Sequence, residues 1–353
     1  PIFQAEDGIR DNGAGLVGSE MCIRDRWKTD GTPKGTKLVK DILGGPGGSF
    51  PQDLTAYDGK LYFLTQIGSE DTYLWRSDGT PKGTKRIRKI ASVDAPDPSW
   101  LQRAGGLLYL RGHDRTHGME LWRSDGTYKG TRMVKDLRPG PQGANPRNGV
   151  AAAGGKVLFS AAVGKGFELY RTNGTAKGTK LLKDIAPGGD SSSPRDLTTV
   201  GKNAFFSADR PGLGRELWVS DGTRAGTRLV KEIFPGAQGS DPEWLTPAGG
   251  RLYFAATGDK TGYEVRSTNG SKAGTRLARD IAPGTDSSLA RDLVGVADGL
   301  FFFARGQMGL EPWRSRSKPG NTRQQRDIYP GPTGSHADTN RAVGKQGKRV
   351  FFA

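Results

Sequence analysis

Sulfur and imidazole are scarce in this chain: 353 residues hold one cysteine, Cys22, and three histidines. A lone cysteine excludes an intrachain disulfide, a cysteine-based zinc site and, since Cys22 lies outside the repeats described below, a thiol nucleophile within them. No stretch approaches the roughly 18 consecutive apolar residues that a membrane-spanning helix needs. Carboxylates are also short, 37 Asp and Glu against 53 Lys and Arg, for a net charge of +16. Such a balance favours anionic partners and equally keeps a repeat protein dispersed in water. The sequence has no Ser-His-Asp arrangement, phosphate-cradling glycine loop or adjacent carboxylate pair of the kind a known mechanism requires. His113 and His117 share one hairpin with Asp114, which reads as solvated rather than metal-binding.

What the chain has in abundance is glycine and proline, 54 and 21 residues, and they recur at set places. Trp27, Trp75, Trp122, Tyr170, Trp218, Arg266 and Trp313 stand 47 or 48 residues apart, each at the same point of one repeated sentence. A period of this size marks a repeat architecture. Within the copy from Phe50 to Ile90, Asp58-Gly59 separates two strand-like runs, and a third and fourth flank Asp78 to Gly83. Each copy therefore predicts four short antiparallel strands, a to d. The runs Leu61–Phe63, Val157–Phe159, Leu252–Phe254 and Phe301–Phe303 are apolar at consecutive positions, so strand b is covered on both faces. Radially stacked four-stranded sheets do this, which predicts an all-β fold, a β-propeller. Six copies run about 50–90, 98–137, 146–185, 194–233, 242–281 and 290–328. A seventh is expected from strands a and b at about 336–353 joined to c and d at about 27–42, giving seven blades of about 48 residues.

Residues 1–26 share none of this grammar and repeat Ile-Arg-Asp at Ile9–Asp11 and Ile23–Asp25. They resemble translated sequencing-adapter read-through and are set apart as non-native, leaving 27–353 as one propeller domain.

Glu120-Leu121-Trp122 before Asp125-Gly126-Thr127, and Glu216-Leu217-Trp218 before Asp221-Gly222-Thr223, resemble the ELWxxDGT repeat family of bacterial multi-repeat proteins. Looser versions stand at Glu168-Leu169-Tyr170, Glu264-Val265-Arg266 and Glu311-Pro312-Trp313. The resemblance covers residues 27–353. It implies a propeller-like, secreted or surface-associated protein, and no enzymatic residues.

Three groups of residues invite a role. The Asp-Gly turns at Asp30, Asp78, Asp125 and Asp221 become Asn-Gly at Asn173 and Asn269, which suits an Asx-turn better than a calcium ligand. In a symmetric c–d hairpin Glu120, Glu168, Glu216 and Glu264 would face Lys135, Lys183, Lys231 and Arg279 as ion pairs worth about 0.2–1 kcal/mol each. The same register sets Arg76, Arg123, Arg171 and Arg314 against Lys85, Arg132, Lys180 and Arg323, like charges that imply a wrong register or a recruited anion. Lys37, Lys85, Arg132, Lys180, Arg228, Arg276 and Arg323, one per copy, predict a basic rim able to draw an anion. At the start of strand a, Asp53, Arg147, Asn148, Arg195, Asp196, Glu243, Arg291 and Asp292 are expected to converge about the axis as a ligand or cation site. These features lead to a first reading of a monomeric, non-enzymatic binding module for a glycan or protein ligand, with nucleic acid disfavoured. A propeller hydrolase or lactonase with an axial cation is the alternative, and a purely structural array the third. No cofactor is expected, calcium at the axial carboxylates being the exception considered.

Overall fold

The computed structural model describes residues 26–43, 48–66, 71–91, 100–164, 166–296, 298–316, 321–328, 344–346 and 349–351. Residues 1–25 of the segment set apart as non-native, and His336, lie outside them. Arg26 opens the first strand.

Every element among the described residues is a strand or turn, and six four-stranded sheets have the order a-b-c-d. The first comprises Gln52–Tyr57, Lys60–Gln66, Thr72–Ser77 and Lys85–Ala91. The second comprises Leu101–Ala104, Leu107–Asp114, Gly118–Ser124 and Arg132–Met133. Arg147–Ala153, Lys156–Ala162, Phe167–Thr172 and Lys180–Lys183 make the third. The fourth is Arg195–Val200, Asn203–Arg210, Gly214–Ser220 and Arg228–Lys231. Glu243–Ala248, Arg251–Gly258, Gly262–Thr268 and Arg276–Leu277 form the fifth, and Arg291–Val296, Gly299–Gly306, Gly309–Arg316 and Thr322–Gln324 the sixth. The strands assigned to a seventh copy form two antiparallel pairs, Arg26–Lys28 with Lys37–Lys40 and Gly344–Gln346 with Arg349–Phe351. The arrangement is that of a β-propeller. Its contacts group into two compact units, 1–149 with 174–179, and 150–173 with 180–353.

Strand b is buried on both faces, as its apolar runs predict. Phe63, Phe159, Phe206, Phe254 and Phe302 are fully buried. The apolar clusters lie between successive sheets: Trp122 packs with Tyr62, Leu64, Leu74 and Ile90 of the sheet before it, and Trp218 packs with Leu158, Leu169 and Leu182. Each of these tryptophans thus seals the junction behind it.

The Asp-Gly turn is explained letter by letter. The Asp78 carboxylate accepts from the Thr80 hydroxyl at 2.7 Å and the Thr80 amide at 2.9 Å, bonds that hold it below the usual carboxylate range. Gly79 takes φ +85°, which a side chain resists. A Cβ on Gly83 would fall on the Asp78 carboxylate, so the second glycine makes room for the turn's own anchor. Ser77 and Thr84 close the hairpin with a buried hydroxyl pair at 2.7 Å, repeated at Ser124–Thr131, Ser220–Thr227 and Thr268–Thr275. The aspartate is a turn anchor.

The expected ion pairs are not made. A bulge between Leu169 and Tyr170 shifts strand d by one residue, so Leu169 faces Lys183, and Leu217 faces Lys231 in the same way. The glutamates turn inward and are buried. Glu216 accepts from Ile233 N at 3.1 Å, Phe234 N at 3.0 Å and the Ser240 hydroxyl at 2.7 Å, clamping the loop that leads to the next sheet. Glu168 does the same with Ile185 N, Ser192 N and the Ser192 hydroxyl. The freed cations reach forward: Lys40, Arg88, Lys135, Lys183 and Arg279 donate to the carbonyls of Thr84, Thr131, Thr179, Thr227 and Thr322 in the following copy. Four of them also lie 5.7–5.9 Å from the ring centres of Trp75, Trp122, Trp218 and Trp313. Like Arg326 at the same phase, Lys231 donates to no such carbonyl among the described residues. Its junction is the one where Arg266, buried near Glu216 and Glu264, stands in place of the tryptophan.

Candidate functional site

The like-charged register is real: Arg76 faces Lys85, Arg123 faces Arg132, Arg171 faces Lys180 and Arg314 faces Arg323. Strand c arginines relieve it by turning away, Arg76 to Gly126 O at 3.4 Å, Arg171 to Gly222 O at 2.9 Å and Arg314 to Asp298. All seven rim cations, Lys37 to Arg323, are exposed, and none forms an ion pair among the described residues. Arg228 donates to Gly270 O at 2.8 Å. On the histidine hairpin, His117 Nδ1 meets the Asp114 carboxylate at 2.9 Å.

The start of strand a is unusual in every four-stranded sheet. Asp53, Trp100, Asn148, Asp196, Trp244 and Asp292, which share one phase of the repeat, all have positive φ between 54° and 89°. Three residues earlier, Phe50, Asn145, Ser193, Asp241 and Leu289 are left-handed too. In four of the sheets a bulge accompanies this, visible as a register shift between Gln52 and Thr55, Arg195 and Thr198, Glu243 and Thr246, and Arg291 and Val294. Backbone strain of this kind persists only where surrounding structure enforces it, and it gathers at functional sites.

In the first unit, Asp53 accepts the Trp100 amide at 2.9 Å, and Thr55 donates to Leu101 O at 2.6 Å, joining two strands a. Arg147 and Asn148 are exposed. In the second unit, Thr198 donates to Leu245 O and Thr246 to Leu293 O, which sets the strands a of the fourth, fifth and sixth sheets side by side. Asp196 and Glu243 come within electrostatic reach there. Asp196 is pushed up by desolvation and then by the Glu243 charge, an effect that Arg195 and Arg215 partly offset. Glu243 accepts from the Tyr263 hydroxyl at 2.9 Å, and burial together with that bond raises the Tyr263 phenol. Arg291 and Asp292 face each other at 4.0 Å. Among the described residues no group of three metal-binding side chains is assembled.

Two further members of this site do not stand out in the sequence. Trp244, 44% exposed, occupies the phase of Asp196 and Asp292. Arg215 stands where other copies have Met119, Phe167, Tyr263 and Leu310, and it is buried. It donates to Ser193 O at 3.1 Å, to the Ser207 hydroxyl at 3.2 Å and to Asp209, with Asp241 at 3.9 Å. Aligning the copies by phase exposes both substitutions. The site therefore presents one indole, carboxylates and guanidiniums on a braced backbone, groups that hold and orient a ligand.

No family profile and no curated protein matches the chain. Among solved structures, a prolyl endopeptidase is similar at 12% identity with a TM-score of 0.53, over 84% of this chain and 45% of that one. A puromycin hydrolase is similar at 13% identity and TM-score 0.46, over 90% and 52%. An uncharacterized protein from Listeria monocytogenes EGD-e is similar at 12% identity and TM-score 0.48, over 90% and 92%. The likeness to the endopeptidase establishes a shared propeller fold. The chain spans about half the length of the two hydrolases. The first reading, a non-enzymatic binding module, is corrected by the endopeptidase, whose propeller favours the hydrolase alternative.

Proposed function

We propose that this propeller belongs to a hydrolase acting on peptide-like substrates, and that the strand a ends of the fourth to sixth sheets contact the substrate. The fold likeness to a prolyl endopeptidase, over 84% of this chain, carries the reading. The site suits it chemically. Trp244 offers an apolar face, Asp196 and Glu243 offer acceptors, and buried Arg215 braces the loops beneath them. Such groups position a substrate for bond cleavage.

The test is incubation of the full chain with a mixed peptide digest, followed by mass spectrometry and equilibrium dialysis. Cleavage places the chemistry on this chain. Saturable retention without cleavage, weakened by Glu243→Ala, assigns the chain the substrate-contacting part. Absence of both cleavage and retention overturns the reading. Trp244→Gly separates substrate contact from folding. Glycine accepts φ +57° freely, and that relief offsets the lost packing and the added freedom of the unfolded chain. The variant is expected to stay within about 1 kcal/mol of the parent in urea unfolding while losing peptide retention. Unchanged retention would remove the indole from the site.

A further inference from the structure

The buried glutamate of strand c and a serine 24 residues later form a repeated clamp. Ser192, Ser240 and Ser288 donate their hydroxyls to Glu168, Glu216 and Glu264 at 2.7, 2.7 and 2.8 Å. In the second sheet the partner of Glu120 is Ala144, so the hydroxyl is missing. Glu120 is fully buried, its Oε1 accepts from Arg138 N at 3.0 Å and Ala144 N at 2.9 Å, the Leu137 amide also bonds toward the carboxylate, and no hydroxyl reaches its buried Oε2. An ionised carboxylate whose buried oxygen lacks the hydroxyl donor its counterparts have is costly. A proton on that oxygen lowers the cost.

We propose that Glu120 and Ala144 make the clamp on the loop 137–146 a proton-dependent latch, so that loss of one proton loosens the loop that leads to Arg147 and Asn148. The loop has few other ties. Asn145 N donates to Met119 O at 2.8 Å, Arg111 donates to the Asn145 side chain at 2.8 Å, and Arg138 reaches Gln142 within the loop. The charged groups around the clamp are Asp136, which adds to the repulsion on Glu120, and His117, which is raised by its bond to Asp114 and by the charges of Asp136 and Glu120. Lys135 is committed to Thr179 O.

Desolvation pushes Glu120 up to about 7, against an ordinary 4.5, and its backbone donors only partly offset this. The folded clamp therefore keeps its proton where an opened one loses it. Its contribution is complete below pH 4.5 and is lost as pH rises through about 7.

Hydrogen exchange of loop 137–146, corrected for intrinsic rates, reads the opening directly. Between about pH 5.5 and 8 protection is expected to fall on the order of 30-fold in the parent. Ala144→Ser restores the hydroxyl and should shrink that fall at least about threefold, while Glu120→Gln should abolish it. His117 titrates in the same direction, so His117→Asn is the control and should leave the fall in place. A fall of undiminished size in Ala144→Ser, or one that vanishes in His117→Asn, overturns the proposal. So does a parent whose protection is flat across this range.

Discussion

Gly262→Ala is expected to cost about 2–5 kcal/mol, the sum of a left-handed alanine and a steric clash. Gly262 opens strand c of the fifth sheet at φ +52°, and a Cβ there would fall on the carbonyl of Asp286 in the returning loop. The same crossing recurs at Gly118 against Pro141 O and at Gly214 against Ala237 O. The obstacle is backbone each time, so no side-chain rotation relieves it. Gly284→Ala is the control: its φ is +84°, but nothing lies within 4 Å of the added carbon. It should cost only about 1–2 kcal/mol. Urea unfolding of the two variants separates conformational from steric cost, and equal midpoints would show that the crossing is not close.

Glu216→Ala is expected to cost about 3–5 kcal/mol, because it strands Ile233 N, Phe234 N and the Ser240 hydroxyl in a buried place. Glu216→Gln keeps an acceptor and should cost less. A cross-strand ion pair with Lys231 would have been worth about 0.2–1 kcal/mol, so the size of the loss decides between the two arrangements. Lys231→Ala should be mild if the glutamate is a clamp and comparable to Glu216→Ala if the two form an ion pair.

Some of this fold is legible in side chains and some is not. The period, the hairpin at Asp58-Gly59, the two-faced burial of strand b and the Asx-turn at Asp78 are written in residue types, and the structure has them. The role of Glu216 is hidden, because two of its partners are peptide N–H groups that every residue but proline carries. Only the serine 24 positions on leaves a trace. A one-residue bulge at Leu169 and Tyr170, equally silent in the sequence, moves the lysines away from the glutamates. At the candidate site, Asp196 and Glu243 stand out by their charge. Trp244 reads as one more apolar residue until its phase, shared with Asp196, is compared.

The forward-reaching cations give five of the copies a matching tab and slot: a Lys or Arg near the end of strand d, and a Thr carbonyl in the following copy. Copies that meet through identical tabs are interchangeable, so duplication or loss of one unit leaves the remaining seams chemically unchanged. Lineages built this way are free to drift in copy number. The seam between Lys231 and Arg266 is cut differently, and a unit carrying Arg266 fits poorly behind any neighbour whose lysine expects an indole. That seam gives the fourth and fifth copies a pairing chemistry of their own.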